Sequence, residues 1–185
     1  AEQTALAAGL LDAGHRLGFK VRIGRDLRRR RLAGALAERG ALLGDLMTDG
    51  SRAANLTRYA RGSAEALDLV DVVWFDKGRM VFLWQVDWTA RAHRSVVSLG
   101  EAIPDDDRMF RFVAVADERQ DLLAYKLRRA PALAAAVRRR GWRFVKWGPL
   151  RTFLAAEGAG LDGLEGVIGL EPAMEQGGQQ LAFRW

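Results

Sequence analysis

The stretch from Leu67 to Thr89, LDLVDVVWFDKGRMVFLWQVDWT, constrains the fold of this chain more than any other. It reads as two apolar runs of strand length joined by a turn, with Asp71, Gln85 and Asp87 set among Val, Phe and Trp. An ionised carboxylate in such surroundings is costly unless it is paired, hydrogen-bonded or bound to a metal. The layout therefore points to a site, and the expected occupant is a divalent cation. Side chains alternate along a strand, so Trp74 and Trp84 are expected to fill the opposite face as core.

Register decides whether the three polar groups meet. Asp76-Lys77-Gly78-Arg79 is a hairpin signal in which Gly78 supplies a positive φ. A loop of Lys77-Gly78-Arg79 places Asp71 opposite Gln85 and diagonal to Asp87 on one face. A loop of Lys77-Gly78 alone pairs Asp71 with Trp84 and splits the cluster between faces. The three-residue loop is the expectation. The competing account is a structural hairpin whose polar groups lie near the sheet ends and are satisfied locally.

Around the hairpin the chain alternates between helical and extended patterns. Leu6, Leu10 and Leu17 predict a first helix over residues 2–17 that stops at Gly18, followed by a short strand from Phe19 to Ile23. From Arg28 to Asp49 glycines interrupt the leucines, predicting broken helix and loop. A helix is expected from Arg91 to Ala102, then a turn at Pro104-Asp105-Asp106-Asp107, which lacks the ligand spacing of a calcium loop. Phe110 to Ala116 reads as a strand buried on both faces. Helices follow over Gln120–Arg128 and Pro131–Arg140, then a strand Trp142–Trp147 and a helix Leu150–Glu157. The expected class is α/β, a three-layer αβα core with a central mixed sheet flanked by helices. One domain is expected over residues 1–157, with 158–185 as a glycine-rich extension.

Composition narrows the classes further. At 185 residues and 49% hydrophobic content the chain suffices for one globular core. No apolar run approaches a membrane span and no leader pattern is visible, so a cytoplasmic protein without membrane contact is expected. The absence of cysteine excludes disulfides, thiolate chemistry and Cys-based zinc sites. His15 and His93 are expected on helix surfaces. There is no Gly-x-Ser-x-Gly elbow and no P-loop. The net charge of +6 comes mainly from arginine, whose fork suits phosphate oxygens. The expected nucleic-acid contacts are Arg28, Arg29, Arg30, Arg31, Arg91, Arg94, Arg138, Arg139 and Arg140. Each run has a plainer reading as a solvated helix face. Trp88, at the strand end, is expected to cover the hydrophobic rim rather than stack on a base.

An aspartate, a hairpin, and an acid-x-acid or acid-x-Lys on the next strand resemble the PD-(D/E)XK, or restriction-endonuclease-like, nuclease superfamily. One branch of it opens with His-Thr-Glu on a first helix and continues through Ile-Asp-Val-x-Trp, Phe-Glu-x-Glu and Val-Ala-Pro-x-x-Arg. This chain offers Gln3-Thr4-Ala5, Val70-Asp71-Val72-Val73-Trp74, Trp84-Gln85-Val86-Asp87, Val115-Ala116-Asp117-Glu118-Arg119 and Arg129-Ala130-Pro131 in the same order. The resemblance runs over about residues 3–155. It implies a restriction-endonuclease-like core, with Asp71, Gln85 and Asp87 as catalytic and metal-holding residues for Mg²⁺ or Mn²⁺.

The departures bear on function. The first-helix glutamate falls on Ala5, with Glu2 one turn earlier, and Gln85 replaces a glutamate. The intact site of that branch has four carboxylates, whereas this chain keeps Asp71 and Asp87, with Gln85 as a neutral ligand. Metal charge is what polarises a phosphate and generates hydroxide. The expectation is a DNA-binding domain of nuclease fold with impaired or lapsed catalysis, serving DNA repair, restriction or other nucleic-acid processing. Two alternatives stand beside it. One is an active Mg²⁺- or Mn²⁺-dependent deoxyribonuclease, with Lys77, Lys126 or Lys146 standing in for the missing cation. The other is a protein-interaction scaffold in a larger complex. By resemblance a homodimer is also plausible.

Overall fold

Two positive φ angles set the geometry of the central hairpin. In the computed structural model, which describes residues 2–48, 67–87, 103, 109–156, 158, 160–165 and 167, strand β2 is Val72–Asp76 and β3 is Arg79–Asp87. Asp76 pairs with Arg79, so the loop is the two residues Lys77 and Gly78, with φ of 46° and 82°. This corrects the expected three-residue loop. Left-handed conformation at both central positions is the mark of a type I′ turn, whose twist matches that of the strands it joins. The tight turn does not split the polar residues, because the register shifts further along. Phe75 faces Met80 but Trp74 faces Phe82, leaving Val81 as the extra residue of a β-bulge. Beyond it Val72 faces Trp84, and continuing that register by one step sets Asp71 across from Gln85. A short loop plus a bulge thus gives the alignment first expected from a longer loop.

Strands β1 (Lys20–Ile23), β4 (Phe110–Val115) and β5 (Trp142–Lys146) complete a five-stranded sheet in the order β1-β2-β3-β4-β5. Strand β2 is antiparallel to both of its neighbours, β1 and β3, and β4 and β5 continue parallel to β3. Both faces are covered. On one, Val72, Trp74, Phe82, Trp84 and Phe112 pack under helix α1 (Glu2–Arg16) and the later helix Trp147–Ala155. Trp74 and Trp84 are fully buried in a run of stacked and tilted rings with Phe19, Phe82 and Phe112. The Trp74 indole N–H donates to the Leu10 carbonyl at 3.0 Å, fixing α1 against the sheet. On the other face, Val73, Leu83, Val113 and Phe144 meet Leu123, Leu127, Leu133 and Val137 of two more helices. The protein is an α/β protein with a mixed five-stranded sheet packed between helices.

Between β1 and β2 the chain makes the short helix α2 (Arg25–Arg28) and two 3-10 turns, Gly34–Arg39 and Leu43–Leu46, in keeping with the broken pattern of that region. Helices α3 (Gln120–Arg129) and α4 (Pro131–Arg139) lie close to their expected bounds. Helix α5 (Trp147–Ala155) begins three residues before the expected Leu150. Asp117 explains this: its carboxylate accepts the Gly148 N–H at 2.9 Å, satisfying a free donor of the first turn, where Pro149 is tolerated. A short α6 (Leu161–Glu165) was not anticipated. The expected helix over residues 91–102, the turn at 104–107, and Trp88, His93 and the tail beyond residue 167 lie outside the described residues. Among those described, no helix is long and apolar enough to cross a membrane.

Candidate functional site

Strand directions bring the chemistry-bearing residues to one edge of the sheet. β1, β3, β4 and β5 run the same way, so their carboxyl ends share the edge at which β2 begins. In open α/β sheets this is the edge beyond which ligands sit. It carries Gly24 after β1, Asp71 before β2, Gln85 to Asp87 on β3, Asp117 after β4 and Lys146 on β5. Lys77 lies at the other edge, in the hairpin turn.

Gln85 is buried, only 6% exposed, and both ends of its amide are engaged by main chain. Its Oε1 accepts the Asp71 N–H at 2.8 Å, and its Nε2 donates to the Leu69 carbonyl at 3.3 Å. The Asp71 carboxylate in turn accepts the Val86 N–H at 2.7 Å through Oδ2. The Asp71 carbonyl accepts the Gly24 N–H at 2.9 Å, a close approach that glycine permits. A Cβ at position 24 would stand 2.4 Å from the Val70 carbonyl oxygen. From α1, Gln3 closes the group by donating Nε2 to the Val86 carbonyl at 2.8 Å. Asp71 and Gln85 are therefore brought together, as a main-chain clasp at the start of β2.

The carboxylates sought around them are arranged differently. Asp87 occupies the last register position of β3, beside Val115, and its side chain falls outside the described residues. Ala5 is exposed, and Glu2 faces outward with Oε1 3.7 Å from Arg151. Among the described residues no group of three or more His, Asp or Glu side chains is placed to hold a metal ion. The donors that are described suit hydrogen bonding to the backbone better than a hard-cation cage, which needs several oxygens turned to one point.

The densest charge at this edge includes the expected Arg28, but Arg22, Arg25 and Asp68 were not among the expected site residues. Asp68 receives three arginines: Arg22 Nη2 at 2.8 Å on Oδ1, Arg25 Nη2 at 3.2 Å on Oδ2, and Arg28 Nη2 on Oδ1. Burial by itself would raise the Asp68 pKa. The hydrogen bond from Arg22, the charges of Arg28 and Arg22, and the hydrogen bond from Arg25 outweigh it and hold the carboxyl below its usual range. Arg22 sits between the buried Val21 and Ile23 on β1, on the sheet face opposite theirs. It is 7% exposed, with a buried Nε that has no hydrogen-bond partner. Arg28 is also tied down through its Nε to the Ile23 carbonyl at 3.0 Å.

The other expected arginines divide between the two edges. Arg29, Arg30 and Arg31 follow Arg28 and are exposed, Arg30 reaching Thr4 at 3.5 Å. Arg138, Arg139 and Arg140 end α4 just before β5 starts, at the opposite edge, where the Arg140 carbonyl accepts Arg111 Nη1 at 2.8 Å. At about 3.3 Å per residue, the length of β4 puts the two groups roughly a strand apart. Arg91 and Arg94 lie outside the described residues. A local signal for the missed cluster exists at Arg22, since an arginine between two core residues of a strand needs an acid. Nothing local says that the acid is Asp68.

No family model, no curated protein and no solved structure matches this chain.

Proposed function

We propose that this protein is a nucleic-acid-binding domain of restriction-endonuclease-like architecture whose metal chemistry has lapsed. The observation that carries the reading is the Gln85 clasp. At the position where the resembled pattern has a metal-binding glutamate, a neutral amide instead spends both of its ends on the backbone of residues 69 and 71. The element order supports the architecture: a helix, an antiparallel three-strand meander, then crossovers to parallel strands. The exposed arginines after β1 support the ligand, because guanidinium forks at the carboxyl edge of a sheet suit phosphate oxygens. DNA is the proposed partner.

The test is incubation of the purified chain with plasmid, linear and single-stranded DNA in Mg²⁺, Mn²⁺ or chelator, with mobility shifts at two salt concentrations. The expected result is salt-sensitive binding with no cleavage. Metal-dependent cuts that vanish in Asp71→Ala would overturn the lapsed-site reading in favour of an active nuclease. Absence of both binding and cleavage would favour a protein-interaction scaffold.

A further inference from the structure

We infer that Arg22, Arg25 and Arg28, fanned around Asp68, form a preorganised site for a single phosphate group at the β1 end of the sheet. The inference deepens the nucleic-acid reading and takes its ligand, a backbone phosphate, from it. It starts from an imbalance. Three guanidiniums meet on one carboxylate, so the cluster keeps a net positive charge of about two in a partly dehydrated place. Each guanidinium also has more N–H donors than these contacts use.

The depth of the three arginines differs in a useful order. The Arg22 side chain is 9% exposed and forms the floor, Arg28 at 32% is intermediate, and Arg25 at 69% is the outer finger. Asp68 orients all three, and the Ile23 carbonyl fixes Arg28 a second time. This removes most of the side-chain ordering cost that a phosphate would otherwise meet. The following residues, Arg29 to Arg31, are exposed and add positive charge next in sequence to the cluster, as contact with a polyanion requires.

Arg25 is the residue to test, because its one described contact is with Asp68 and its removal leaves the core intact. Binding of a fluorescein-labelled duplex is measured by anisotropy for wild type, Arg25→Ala and Arg25→Lys, with thermal unfolding as the folding control. A phosphate held by an oriented fork predicts a roughly tenfold loss in Arg25→Ala that Arg25→Lys does not restore, since lysine keeps the charge and loses the fork. A second arm titrates inorganic phosphate while following arginine Nε–H resonances by NMR, where shifts confined to Arg22, Arg25 and Arg28 are expected. Phosphate-induced shifts without duplex binding would uphold the site and overturn the nucleic-acid reading. Duplex binding in which Arg25→Lys equals wild type, with no phosphate-induced shifts, would overturn the site and leave that reading in place.

Discussion

At the scale of single residues, Gln85 and Asp68 each satisfy groups that would otherwise be stranded. Replacing Gln85 by Leu leaves the Asp71 N–H and the Leu69 carbonyl without their acceptor and donor in a part-buried place. The expected cost is roughly 2–3 kcal/mol, read from the urea midpoint. Gln85→Glu is expected to destabilise at least as much at neutral pH, because its carboxylate still accepts the Asp71 N–H but is ionised in a buried place and turns an oxygen, not an N–H, toward the Leu69 carbonyl. Asp68→Asn acts differently, by stripping charge from beneath Arg22, which is buried. A loss of roughly 2–4 kcal/mol at neutral pH follows from the hydrogen-bonded charge pairs it weakens. The sign with pH is set by the lowered Asp68 pKa. Its stabilisation is present above the unfolded-state value and disappears as pH falls through the lower folded value. The gap between wild type and Asp68→Asn should therefore begin to narrow below about pH 4 and close only as pH passes below the lowered folded value, as followed by unfolding curves from pH 7 downwards. A gap that persists unchanged to pH 2 would mean that the difference between the two proteins does not come from the carboxylate charge.

At the scale of elements, the bulge is the device that aligns β2 with β3, and it can be removed on paper without changing a single later pair. Deleting Val81 leaves Phe75 opposite Met80 and Trp74 opposite Phe82, with every later pair unchanged. Such a deletion should fold at a cost of about 1–2 kcal/mol from lost packing, whereas deleting Leu83 should cost more, because Val81 and Phe82 must then take the core positions of Phe82 and Leu83 on opposite faces. Thermal unfolding of the two deletions separates these outcomes. The same element shows what could be read from sequence. The apolar runs over residues 70–75 and 80–86 exposed both strands, since a strand buried on both faces reads as nearly continuous apolar sequence. The turn length was hidden because Lys77 adopts a left-handed conformation that its residue type does not advertise. The bulge was hidden because Val81 and Phe82 are both apolar, so an extra residue on the core side leaves no break in the pattern. The Arg22–Asp68 pairing was hidden for a different reason: the partners are 46 residues apart, and only the β1–β2 register brings them together.

At the scale of the whole molecule, the question is whether the net charge of +6 acts as a diffuse field or through one edge of the sheet. Arg29 and Arg31 are exposed and follow Arg28 of the arginine cluster in sequence, while Arg138 and Arg139 are exposed at the end of α4, which leads into the start of β5 at the opposite edge. Both pairs remove the same charge when replaced by alanine, so any difference in their effect reports position. A diffuse field predicts equal losses, because at low salt the Debye length exceeds the length of these strands. Binding through the carboxyl edge predicts that Arg29→Ala/Arg31→Ala lowers duplex affinity about tenfold or more at 0.15 M salt. It also predicts a salt slope shallower by about 2, since roughly one counterion is released for each phosphate that an arginine neutralises. Arg138→Ala/Arg139→Ala should then shift affinity less than about threefold and keep the slope, because its arginines would touch no phosphate. Anisotropy titrations of the two double variants at four salt concentrations give both quantities. Equal slopes and equal losses would move the interface from the sheet edge to the surface as a whole, and the charge of +6 would then act as a diffuse field.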